Sequence, residues 1–170
     1  GKLIHDDQCG FIPGTNTTMN LRRLAHVLHS TTGGMKEQAL VAIDIAKAFD
    51  TVEWGYLWQV LTHMGFGSQF RKWVELLYTH PIGRVRIGGA LSDKWQIFRG
   101  TRQVCPLSPM LFAMAIEPLA IWARSVMIPW GIEIGDKTHI ISLYADDALF
   151  YVTNPAGAIP VLVEGLEQFG

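Results

Sequence analysis

The chain has 170 residues, 49% of them hydrophobic and 17% charged, with a formal net charge of −1; that composition suits one packed core and excludes a disordered tail. Every apolar stretch is broken by a polar residue, Gly or Pro before the roughly 18 residues a bilayer requires, and the amino end lacks a charged-then-apolar secretory pattern, so a soluble intracellular protein with no membrane partner is expected. The two cysteines, Cys9 and Cys105, form no CxxC pair and suggest neither a disulfide framework nor a zinc site.

The opening residues 1–14 read as irregular, with a Pro13-Gly14 turn. Thr15 to Thr18 offer caps for a helix in which Leu21, Leu24, Ala25 and Leu28 recur at helical spacing, and Gly33-Gly34 should end it. Residues 39–45 form an apolar run of strand length, interrupted only by Asp44 near its end. Asp50 and Glu53 have capping-box spacing, and Trp54, Leu57, Trp58 and Leu61 then predict an amphipathic helix. A second helix is expected from Ser68 through Leu77, and residues 84–98 read as a hairpin turned by Gly88-Gly89. Ser108-Pro109 has the cap-then-Pro order that opens a helix, which Pro118 should kink. Two strands are expected at Thr138 to Leu143 and Ala148 to Val152, so Tyr144-Ala145-Asp146-Asp147 occupies a hairpin turn, and Asn154-Pro155 begins a closing helix.

Charge is more informative in its distribution than in its sum. Cations gather at Arg22/Arg23, Arg71/Lys72, Arg84/Arg86 and Arg99/Arg102, and solvated surface is the plain reading of such pairs. An ionised carboxylate near the end of an apolar strand is costly unless something compensates it. Asp44 therefore either marks an exposed strand end or holds a cation. Capping already accounts for Asp50. Asp146 and Asp147 crowd two like charges at a hairpin tip; alone such a pair reads as a polar turn, but the apolar strands on both sides favour a cation between them. Oxygen-only ligands favour Mg²⁺, with Mn²⁺ as a substitute. Two such ions about 3.5–4 Å apart suit an in-line displacement at phosphorus.

Four blocks in order carry a resemblance. They are Asp7-Gln8-Cys9-Gly10-Phe11-Ile12-Pro13-Gly14 with Arg22 and Arg23 downstream, then Asp44-Ile45-Ala46-Lys47-Ala48-Phe49-Asp50, then Gly100-Thr101-Arg102-Gln103-Val104-Cys105-Pro106-Leu107-Ser108-Pro109, and finally Tyr144-Ala145-Asp146-Asp147. Together they resemble the reverse transcriptases of LINE-type, non-LTR retrotransposons over essentially the whole chain.

The resemblance implies an α+β right-hand polymerase palm, an antiparallel sheet backed by the Ser108 and Asn154 helices. Residues 1–170 would be a single domain fragment, with fingers at 1–38 and 54–103 and palm at 39–53 and 104–170. It implies RNA-directed DNA synthesis from an RNA template, a DNA primer and deoxynucleoside triphosphates, with nuclear action, and with the thumb and endonuclease regions belonging to a longer protein. Carried over by position, Asp44, Asp146 and Asp147 are the catalytic carboxylates and, with the Ile45 carbonyl, the ligands of two Mg²⁺ ions. Phe49 becomes a steric gate against the 2′-hydroxyl, Gln103 contacts the incoming nucleotide and template, and Arg22 and Arg102 meet phosphate. Val104 departs from the glycine usual after the glutamine. A β-branched residue there restricts the backbone and its close approach to a ligand, so an impaired copy is expected. The rival readings are a catalytically dead relic that only binds nucleic acid or partners, and another palm polymerase such as a group II intron, telomerase-like or RNA-dependent RNA polymerase.

Overall fold

The computed structural model describes residues 3–30, 37–102 and 105–169, so Gly33-Gly34, Gln103 and Val104 lie outside the described residues. The chain divides into two compact units, residues 1–46 with 116–170 and residues 47–115.

In the first unit, α1 (Thr17–Ser30) follows the Thr15–Thr18 signal and β1 (Gln38–Asp44) follows the apolar run. β8 (Ile141–Tyr144) and β9 (Asp147–Thr153) complete a three-stranded antiparallel sheet in the order β1-β9-β8. Ala148, Phe150 and Val152 of β9 and Ile141 and Leu143 of β8 are all buried. By the two-residue period of a strand they share one sheet face, and burying each of the larger side chains stabilises by roughly 1.5–3 kcal/mol. α6 (Pro155–Glu167) contacts β9 and buries Ala158 and Leu162.

On the opposite face the cover is partial. α1 packs on β8 and on β6 (Ile132–Ile134), and Val27, Ile132 and Tyr151 form a buried cluster there. Leu40, Ala42 and Asp44 of β1 and Tyr144 and Asp147 beside them remain exposed. An ion network ties the amino-terminal segment to this unit. Asp7 accepts from Arg23 at 2.7 Å and Arg124 at 3.3 Å, and Arg124 also donates to Glu117 at 2.5 Å.

The second unit holds a short α2 (Ala48–Thr51), α3 (Trp54–His63), α4 (Ser68–Leu77) and two small ribbons. β2 (Ile82–Gly83) pairs with β5 (Trp95–Gln96), and β3 (Arg86–Ile87) pairs with β4 (Ala90–Leu91) around Gly88 and Gly89. Both glycines have positive φ, 56° and 87°, as a type I′ hairpin demands. Leu57, Leu61, Val74, Tyr78, Leu111 and Phe112 are buried, and the Trp54 ring lies 5.6 Å from that of Tyr78.

Three local expectations need correction. Asp50 does not cap α3: it sits inside α2, and α3 starts behind Glu53 with no side-chain cap, because the extended backbone of Val52 separates the two helices. The apolar stretch Thr138–Leu143 is not one strand. It breaks at Ile140, so that β7 (Lys137–His139) pairs with β6 around Gly135 while β8 joins the main sheet. Contrary to the expectation that every apolar stretch is too short to span a bilayer, α5 (Ser108–Val126), which carries Pro118 in its interior, could cross a membrane by length and composition alone. More than half of its most apolar stretch is buried inside the protein, and that stretch contains the paired Glu117, which fits a core helix.

Candidate active site

The antiparallel register sets Asp44 directly opposite Asp147. Cross-strand partners project from the same sheet face with Cβ atoms about 4.5–5.5 Å apart. Asp44 and Asp147 therefore meet although a hundred residues separate them in the chain. Both are exposed on the partly covered face. Asp146 occupies the two-residue turn between β8 and β9 and is half-buried. Its neighbour Ala145 is buried and held at φ 56°. Positive φ at the first central residue and not at the second is the pattern of a type II′ hairpin, which ordinarily takes glycine at that first place.

Beside the carboxylates runs an open groove of about 350 Å³, walled by Asn20, Leu21 and Leu24 of α1 and floored by Ala42, Tyr144 and Leu149 of the sheet. Asn20 fixes this wall to the hairpin by donating to the Leu143 carbonyl at 2.9 Å. Among the described residues, no three His, Cys, Asp or Glu side chains are gathered tightly enough to cage an ion unaided. Two adjacent, solvent-facing carboxylates fit a different kind of site. They suit a hard cation that keeps several waters and completes its shell with substrate phosphate.

The remaining expected residues are distributed as follows. Ile45 is the first residue beyond β1 and is half-buried. Arg22 is exposed on α1. In the second unit, the Phe49 ring stacks on Phe112 at 4.7 Å, and its carbonyl accepts from the Thr101 N–H at 2.6 Å. Arg102 is exposed and, with Arg99, Trp54, Tyr78 and Trp95, lines a groove of about 620 Å³ within that unit. Gln103 lies outside the described residues.

Reasoning from sequence assigned no task to Gln8. It is buried, and its side-chain amide bonds to Gly10 and to both backbone groups of Ala145. The Asp7–Gly14 block signalled the segment, but one strand of sequence cannot reveal a partner 137 positions away.

Comparison with known proteins supplies the family. The model for "Reverse transcriptase (RNA-dependent DNA polymerase)" matches residues 2–169. The chain is 32% identical over 148 residues, 87% of its length, to the transposon TX1 uncharacterized 149 kDa protein of Xenopus laevis. It is 28% identical over 152 residues, 89% of its length, to a retrovirus-related Pol polyprotein from a type-1 retrotransposable element R2 of Popillia japonica. It is 24% identical over 160 residues, 94% of its length, to the Pol polyprotein from the type-2 element R2DM of Drosophila melanogaster. The matched segments span only 11%, 21% and 15% of those three relatives. With the family model covering nearly every residue and transposable-element proteins as its relatives, the chain belongs to the reverse transcriptase family, in its LINE-type, non-LTR retrotransposon branch.

Proposed function

We propose that this chain is the catalytic part of an RNA-directed DNA polymerase, extending a DNA primer on an RNA template with deoxynucleoside triphosphates. The observation that carries the reading is the Asp44–Asp147 register on the partly covered sheet face. We read that sheet as the palm, with residues 39–53 and 104–170, and residues 1–38 and 54–103 as partial fingers. The thumb and endonuclease belong to the longer protein, and work at chromosomal DNA places it in the nucleus.

In the reaction the primer 3′-oxygen forms a bond to the α-phosphorus of the nucleotide. The bond from that phosphorus to the bridging oxygen breaks, pyrophosphate leaves, and the proton of the 3′-hydroxyl passes to solvent water. Two Mg²⁺ ions, or Mn²⁺ in their place, supply the positive charge that lowers the barrier when bound. Asp44, Asp146 and Asp147 with the Ile45 carbonyl are the groups that would hold them. The exposure of Asp44 and Asp147 leaves room for the triphosphate beside them. Phe49 excludes the 2′-hydroxyl of a ribonucleotide, Gln103 contacts the incoming nucleotide and the template, and Arg22 and Arg102 meet phosphate by charge.

A second reading, a relic that binds nucleic acid without polymerising, is favoured by Val104 at the usual glycine position. Extension of a labelled primer on an RNA template by the full-length element protein with Mg²⁺, beside its Asp146→Asn variant, separates the two. Extension lost in the variant supports the polymerase. Binding without carboxylate-dependent extension selects the relic.

A further inference from the structure

The hairpin that carries Asp146 and Asp147 is clamped along the free edge of β8 by the amino-terminal segment. Gln8 is 1% exposed. Its Oε1 accepts the Gly10 N–H at 2.7 Å and the Ala145 N–H at 3.1 Å, and its Nε2 donates to the Ala145 carbonyl at 3.3 Å. One amide therefore satisfies both backbone polar groups of the residue that precedes Asp146. Only a neutral side chain with an acceptor and a donor at the same reach can do so, which restricts the position to glutamine or a close equivalent. Backbone bonds hold the clamp in place: Leu143 N–H donates to the Asp7 carbonyl at 2.8 Å and Cys9 N–H donates to the Leu143 carbonyl at 2.9 Å. Approach is close enough that a Cβ on Gly10 would fall 2.2 Å from the Ala145 nitrogen.

Ala145 needs this support. Its φ of 56° lies in the left-handed region, which a non-glycine residue adopts only at a cost in free energy. Left unpaired, its buried N–H and C=O would each carry an uncompensated desolvation penalty. A turn relieved of Gln8 would relax toward ordinary backbone angles and carry Asp146 with it.

We propose that Gln8 is a positioning residue for the active site, holding the Asp146-Asp147 turn through Ala145 in the conformation that binds divalent cation. The proposal rests on the polymerase reading given above.

The test uses the full-length element protein with Gln8→Leu, which fills the space without hydrogen bonds, and Gln8→Glu, which keeps both accepted bonds and loses the donated one. Asp147→Asn serves as reference. Two readouts are taken: amide hydrogen exchange of residues 143–149 without metal, and the Mg²⁺ concentration for half-maximal primer extension at saturating nucleotide. Supporting groups behind metal ligands typically change metal affinity about 10–100-fold. Gln8→Leu is expected to speed exchange at residues 145–147 and to raise the Mg²⁺ requirement by about tenfold or more, with Gln8→Glu between it and the wild type.

Unchanged exchange and an unchanged Mg²⁺ requirement in folded variants would overturn the proposal. So would a loss of active protein with no change in that requirement, since that marks a purely structural residue. Should Gln8→Leu prevent folding, Gln8→Glu decides alone by the same two readouts. If Asp147→Asn extends as well as the wild type, the polymerase reading itself falls. If it is inactive while the Gln8 variants match the wild type, only the role of Gln8 falls.

Discussion

Asp147→Asn should make the protein more stable and less active at once. Asp44 and Asp147 are cross-strand partners, and like charges directly opposite one another in a sheet destabilise by roughly 0.2–1 kcal/mol. Coulomb's law gives the same scale, about 0.8 kcal/mol for unit charges about 5 Å apart in water. Removing one charge without changing the shape therefore raises the midpoint of thermal unfolding by roughly 0.5–4 °C in metal-free buffer. Magnesium reverses the order. A cation that binds only the folded wild type adds about 2.7 kcal/mol at a hundred times its Kd, and the variant gains little of this. Loss of several kcal/mol of charge stabilisation lowers primer extension by roughly a thousandfold. The assay is thermal unfolding of both chains with and without Mg²⁺, with extension measured in parallel. A variant that is less stable without metal, or that gains as much from Mg²⁺ as the wild type, would refute the reasoning.

Four further outcomes follow from other residues. A Cβ at Gly165 would lie 1.8 Å from the Trp122 ring, so Gly165→Ala should cost about 1–3 kcal/mol in urea unfolding through overpacking. Phe49→Ala in the full-length protein should admit ribonucleotides into the extended primer, and continued exclusion would remove the gate assignment. Val104→Gly should raise primer extension, and unchanged extension would count against impairment by the branched side chain. His139 has its pKa lowered by burial first and then by Arg23, His26 and Lys137, against an opposing pull from Asp7; its buried Nε2 has no hydrogen-bond partner among the described residues. Its folded pKa lies below the unfolded value of about 6.5. Its contribution to stability is thus complete above that pH and is lost as pH falls toward the folded value. His139→Gln should flatten this part of the pH dependence of unfolding, and an unaltered slope would show that the ring does not carry it.

Much of the site could be read from the chain itself. Asp44 is conspicuous because it interrupts an apolar strand, and the Asp146-Asp147 turn because two strands of strong apolar character flank it. Their meeting depends on strand register, a tertiary property; local pattern could suggest it only through the resemblance to a family. The errors share a cause. Asp50 and Glu53 have the right spacing for a capping box, but Val52 is drawn into extended backbone, where its carbonyl accepts from the Gly100 N–H at 2.8 Å. The β6–β7 hairpin escaped notice because each strand has three residues, too few for periodicity to register, although Gly135-Asp136 marked its turn. Gln8 escaped because a glutamine in an irregular segment looks like surface until its hydrogen-bond partners are known.

The pairing of β1 with β9 imposes a rule of parity on this protein's length variation. Alternate residues of a strand face opposite sides, so deleting or inserting one residue between Gln38 and Asp44, or between Asp147 and Thr153, would shift one carboxylate to the packed side of the sheet or leave the two out of step. Such a change would leave every motif readable in the sequence while separating the pair. Length changes that preserve the site must fall outside these two seven-residue strands, or be compensated by a bulge that restores the alternation.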